Sequence, residues 1–125
     1  MKKKTKDEYL KRVRCAQNYI ENHLTDKISP FELSKLATLS PHHFHRIFRG
    51  VVGESVLEYA RRLKLERAAR RLRVTGRRVT EIAFDAGYES HEGFTRAFRE
   101  YFGVSPSEFR GQPPIHVPSP ISPPD

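Results

Sequence analysis

Ser40-Pro41-His42-His43-Phe44-His45-Arg46-Ile47-Phe48-Arg49 recurs fifty residues later as Ser90-His91-Glu92-Gly93-Phe94-Thr95-Arg96-Ala97-Phe98-Arg99. The register continues through Gly53 and Gly103, Ser55 and Ser105, and Glu58 and Glu108. Residues 40–59 and 90–109 share eight identities in twenty positions, with Tyr59 and Phe109 an aromatic pair besides. A repeat of this kind is one structural unit used twice. In each copy apolar residues fall at i, i+3, i+4 and i+7: Phe44, Ile47, Phe48, Val51, and Phe94, Ala97, Phe98, Tyr101. That is the core-facing stripe of an amphipathic helix. Each copy reads as a short helix, a turn, and a second helix with a basic outer face.

Working outward, the helix starts are marked by capping chemistry. Ser29-Pro30-Phe31-Glu32 and Ser105-Pro106-Ser107-Glu108 each set a capping serine, a proline at the first helical position and a glutamate three on. Ser55-Val56-Leu57-Glu58 is a capping box without proline, and Ser40-Pro41 is a cap with proline alone. Tyr9, Val13, Ala16 and Ile20 carry a helical period before the first of these. The sequence predicts helices near 9–24, 30–37, 41–51, 56–73, 80–86, 91–102 and 106–110. Gly53, Gly76, Gly87 and Gly103 fall between them. No alternating strand pattern stands out, so the expected fold is all-α with about seven helices.

The predicted helix over 56–73 changes its apolar side half-way. Val56, Tyr59, Ala60 and Leu63 share one side at ~100° per residue, while Leu65, Ala68, Ala69 and Leu72 lie nearly opposite. A helix in one core keeps one stripe. Two stripes predict a linker helix of roughly 27 Å, half in each of two lobes. Packing in a single core with an irregular stripe is the alternative. The resulting division is a basic tail over 1–8, a helical region over 9–111, and a proline-rich tail or linker over 112–125. Within the helical region lobe one covers about 9–60 and lobe two about 65–111. The tail holds six prolines and no helical period, as extended chain does.

Composition narrows the class. The formal net charge is +8 over 125 residues, which suits nucleic acid or an anionic surface. A solvated cationic surface with no partner is the bland reading of the same number. Cys15 is the only cysteine, so neither an intramolecular disulfide nor a cysteine-based zinc site can form. No apolar run approaches the ~18 residues that span a bilayer, and Met1-Lys2-Lys3-Lys4 leads into no signal-peptide core. A cytoplasmic protein without membrane contact is expected.

Two basic helix-turn-helix copies in one small cationic chain point to double-stranded DNA. Opposite the first stripe lie His42, Arg46 and Arg49, with His45 at the edge; opposite the second lie Glu92, Arg96 and Arg99, with Thr95 at the edge. A recognition helix presents such positions to the major groove. Arg46 and Arg96 suit bidentate bonds to guanine O6 and N7, Glu92 suits a cytosine amino group, and Thr95 suits a thymine methyl. His42, His45 and His91 suit base edges or phosphates, and Arg49 and Arg99, a turn further on, suit phosphates. Gly93 inside a helix costs about 1 kcal/mol relative to alanine. It either permits close approach of backbone to the duplex or is a tolerated flaw. The run His42-His43-Phe44-His45 lacks a cysteine or carboxylate to complete a metal set. No metal or other cofactor is expected.

Ile82-Ala83, Gly87-Tyr88, Ser90, Phe94, Arg96, Phe98-Arg99, Phe102-Gly103, Ser105-Pro106 and Phe109-Arg110 closely resemble the C-terminal signature of AraC/XylS-type transcription regulators. The resemblance runs back to about Tyr9 and leaves out the tail. It implies two helix-turn-helix lobes joined by a long helix. It also implies bacterial transcription control, usually activation through contact with RNA polymerase. The family's recognition positions match His42, His45 and Arg46 in the first unit and His91, Glu92, Thr95 and Arg96 in the second. The first unit, with its histidine-rich face, is the looser match. The chain looks like the stand-alone type, or like a DNA-binding half whose proline-rich linker has lost its sensor.

The two readers differ in side chains, so a monomer on an asymmetric site is expected, the linker helix replacing a dimer interface. A non-specific packaging or RNA-binding protein uses the same charge without needing distinct readers. An enzyme is disfavoured, since no glycine-rich phosphate loop, nucleophile motif or metal constellation stands out.

Overall fold

The computed structural model describes residues 3–112. The described residues form seven helices and no strands: α1 Lys3–Asn22, α2 Pro30–Leu36, α3 Pro41–Val52, α4 Val56–Val74, α5 Val79–Asp85, α6 His91–Phe102 and α7 Pro106–Gly111. The all-α fold with two helix-turn-helix units is therefore as the sequence predicts. The proline-rich tail expected over 112–125 lies outside the described residues beyond Gln112.

The four predicted capping serines each cap a helix, but Glu32 does not close the reciprocal box expected with Ser29. Ser29, Ser40, Ser55 and Ser105 accept the backbone N–H three residues on, at 3.2, 3.3, 3.1 and 3.2 Å. Glu58 and Glu108 complete reciprocal boxes, each accepting its serine's own N–H at 2.9 Å. The sequence reading missed a fifth cap: Ser90 accepts from the Gly93 N–H at 3.0 Å. It has neither a proline next to it nor a glutamate at the third position, and only its match to Ser40 in the repeat signals it.

The start of α1 corrects the sequence reading. Residues 1–8 were expected as a frayed basic tail and the helix from 9; the helix begins at Lys3. Residues 3–8 carry no apolar period, which is the signal that reading used. They are nonetheless mostly good helix formers, and Asp7–Lys11 and Glu8–Arg12 have the i,i+4 spacing that supports a helix. The other end stops at Asn22, two residues early. There the His23 ring stacks on Tyr19 with centroids 3.9 Å apart, and its Nδ1 lies 2.7 Å from the Tyr19 carbonyl.

The chain divides between Leu63 and Lys64, within α4, into two compact units. The first has a core of Val13, Ala16 and Ile20 from α1, Leu33 from α2, Phe44 and Phe48 from α3, and Val56, Tyr59 and Ala60 from α4. Leu24 and Ile28, between helices, are buried in it too. The second gathers Leu65, Ala68, Ala69 and Leu72 from α4, Ile82 and Ala83 from α5, the α6 aromatics and Phe109. The two stripes of α4 thus serve two cores, and the single-core alternative is set aside. Val51 departs from its expected stripe and stands 46% exposed at the end of α3.

The seven-residue helices α2 and α5 end in the same left-handed turn. In the first unit Ala37 N–H bonds to Leu33 O and Leu39 N–H to Ser34 O; in the second Ala86 N–H bonds to Ile82 O and Tyr88 N–H to Ala83 O. The left-handed residue is Thr38 (φ +57°) in one and Gly87 (φ +90°) in the other. Leu33 thus corresponds to Ile82, an offset of 82 − 33 = 49, whereas Ser40 corresponds to Ser90 at 50. Glu89 is the extra residue between turn and reader in the second unit.

Candidate nucleic-acid interface

Each candidate reader is a twelve-residue helix that opens on a serine cap and closes on a left-handed glycine, Gly53 for α3 and Gly103 for α6. Phe44 and Phe48 anchor α3 in the first core, and Phe94, Ala97, Phe98 and Phe102 anchor α6 in the second. Anchoring one face fixes what the other presents.

On α3 the structure leaves His42, His45, Arg46 and Arg49 exposed. His43 turns the other way: it is half-buried, its ring edge-on to Tyr9 of α1 with centroids 5.4 Å apart. The histidine run is therefore split between solvent and core. On α6 His91, Glu92, Arg96 and Arg99 are exposed. Together with Thr95 and Glu100 they line one open depression on that face. Glu100 is the member that sequence reasoning did not single out.

Thr95 is half-buried, and its hydroxyl oxygen is fully buried with no hydrogen-bond partner. The hydroxyl faces inward, so any side-chain atoms of Thr95 left at the surface are apolar. That orientation is compatible with apolar contact to a thymine methyl. At Gly93 an added Cβ would sit 3.1 Å from the Ser90 hydroxyl oxygen. That contact is tight, though Glu32, His43, Glu58 and Glu108 take the same cap bond with a side chain in place.

The two arginines at the C-terminal ends of the readers have a second neighbour. The Ser55 N–H bond, above all, holds the Glu58 carboxyl below its usual range, with help from the Ser55 hydroxyl and the Arg49 charge. Glu108 is lowered in the same way by the Ser105 N–H, the Ser105 hydroxyl and the Arg99 charge. Arg49 and Arg99 therefore also favour the charged caps of the helices that follow.

A helix-turn-helix domain family matches residues 33–112. The chain belongs to the AraC/XylS-type family of DNA-binding transcription regulators. That family comprises transcription regulators, not enzymes. This AraC/XylS-type chain is 39% identical over 102 residues to the HTH-type transcriptional regulator YbfP of Bacillus subtilis, covering 82% of the chain and 35% of YbfP. It is 34% identical over 92 residues to the HTH-type transcriptional activator AarP of Providencia stuartii, covering 74% of the chain and 68% of AarP. The chain thus spans about a third of the first relative and two thirds of the second. Among solved structures it is similar to the DNA-binding domain of AdpA, a global transcriptional factor, in complex with a target DNA. The TM-score is 0.73 at 26% identity, covering 78% of the chain and 88% of that domain. No helix among the described residues is long and apolar enough to cross a membrane.

Proposed function

We propose that this protein is a cytoplasmic transcription activator that binds double-stranded DNA as a monomer. It reads an asymmetric operator through two unlike recognition helices and acts through contact with RNA polymerase. The single observation that carries the reading is the repeated reader: α3 and α6 each hold their aromatics in a core and present an arginine at equivalent positions, Arg46 and Arg96. Around those arginines the faces diverge, His42 and His45 on one and His91, Glu92 and Thr95 on the other. Unlike faces call for unlike half-elements, which supports an asymmetric site. In this reading Arg46 and Arg96 bond to guanine, Glu92 accepts from cytosine, and Arg49 and Arg99 hold phosphates. AarP's description as an activator supports the direction of regulation.

The test is selection from a random duplex pool, with the enriched sequences retested by fluorescence anisotropy against bulk competitor DNA at physiological salt. An asymmetric consensus bound roughly 10³-fold or more tighter than bulk DNA is the expected result. Equal affinity for all duplexes would instead favour a non-specific binder. A palindromic site bound only by a dimer in ultracentrifugation would overturn the monomer reading.

A further inference from the structure

The helical extension of α1 has no task in the first core. The first fully buried residue of α1 is Val13, and Tyr9, one turn earlier, is half-buried against His43. Beyond Tyr9 the helix continues to Lys3. Over residues 3–8 that overhang carries three lysines, at 3, 4 and 6, against Asp7 and Glu8, a net charge of +1 (3 − 2).

Its position follows from the Tyr9–His43 contact. His43 is the third residue of α3, between His42 and His45 in the part of a recognition helix that contacts base edges. Tyr9 therefore flanks the reader's N-terminal turn. Lys6 is three residues before Tyr9, so it lies on nearly the same side of α1 and roughly 4.5 Å further along the axis from the buried part of the helix. Helical side chains also lean toward their own N-terminus, which carries the Lys6 ammonium outward, away from the core. Lys6 is exposed. A helix in a major groove ~12 Å wide has a phosphate strand on each side, and a lysine on a neighbouring helix flanking its N-terminal turn is well placed to reach one of them.

We propose that the N-terminal turn of α1 is a third duplex contact, in which Lys6 grips a backbone phosphate beside the segment read by α3. The contact carries no sequence information; it adds affinity and fixes how the first reader sits in its groove. It deepens the function proposed above and rests on it.

The experiment measures affinity for the selected operator against salt concentration for the wild type, Lys6→Gln and Lys11→Gln. Lys11 is exposed on the same helix and about 140° around it from Lys6, so it controls for loss of one charge anywhere on α1. Lys6→Gln is expected to lower the slope of log affinity against log salt by about 0.9. Its affinity ratio between 50 and 200 mM salt then shrinks by about threefold, with sequence preference unchanged. Lys11→Gln is expected to keep the wild-type slope. An unchanged slope for Lys6→Gln, or an equal loss for Lys11→Gln, overturns the phosphate contact while leaving the function reading intact. A wild type that prefers no duplex over bulk DNA overturns the function reading, and the contact with it.

Discussion

At the residue scale, equivalent positions in the two units solve the same problem with different chemistry. Thr38 holds a left-handed backbone where the second unit uses Gly87. A side chain there costs about 1 kcal/mol or more, offset in part by the bond from the Thr38 hydroxyl to the Ala37 carbonyl at 2.6 Å. Thr38→Gly is therefore expected to stabilise the first unit by up to about 1 kcal/mol in chemical denaturation; a loss of stability would mean the hydroxyl bond outweighs the strain. Arg96 is the sharpest functional case. Arg96→Ala is expected to cost about 1–3 kcal/mol on the best operator and relax preference at one base pair. Uniform weakening across all sequences would make Arg96 a phosphate contact instead. The exposed faces of both readers were legible because Phe44, Phe48, Phe94 and Phe98 fix which side is inward. The inward hydroxyl of Thr95 and the turning of His43 toward Tyr9 were not, since each depends on what packs beside the helix.

At the scale of elements, α4 shows how a chain writes tertiary structure into local pattern. Its two apolar stripes assign its halves to two cores, and its N-terminal half is tied further by Tyr59. The Tyr59 hydroxyl donates to Glu21 of α1 at 3.0 Å, and its pKa is pushed up to about 12, chiefly by burial and then by that bond. A raised folded pKa favours the protonated phenol. The stabilisation is complete below the ordinary value of 10 and is lost as pH rises through about 12. The wild type should lose stability across that window in pH-dependent urea melts, and Tyr59→Phe should show a flatter profile there. The capping glutamates have the opposite sign. Their folded pKa values lie below the ordinary 4.5, so their stabilisation is present above that value and fades as pH falls through the folded values. Protection of the Ser55 and Ser105 amides, corrected for the slower intrinsic exchange at lower pH, checks this and is expected to fall in both as the glutamates protonate.

For the whole molecule, two cores mean that damage to one can be read against the other. Phe98 is fully buried among the rings of Phe94, Phe102 and Phe109, with centroids 4.5–5.6 Å away. Phe98→Ala is expected to cost ~3–5 kcal/mol and to strip amide protection from α5, α6 and α7 while α2 and α3 keep theirs. Uniform loss would show instead that the units stand or fall together. The all-α class, the duplicated unit, four of the five serine caps and the outward face of each reader are legible in the chain alone. Those signals are short-range: a cap spans four residues and a stripe eight, and both are spelled in residue type. Packing set the alignment of α2 with α5 at an offset of 49, with Glu89 as the extra residue, and turned the Thr95 hydroxyl inward. It also set Tyr9 of α1 against His43 of the reader. These outcomes depend on neighbours distant in the chain, where packing and backbone hydrogen bonds choose among conformations that the local sequence leaves nearly equal in energy.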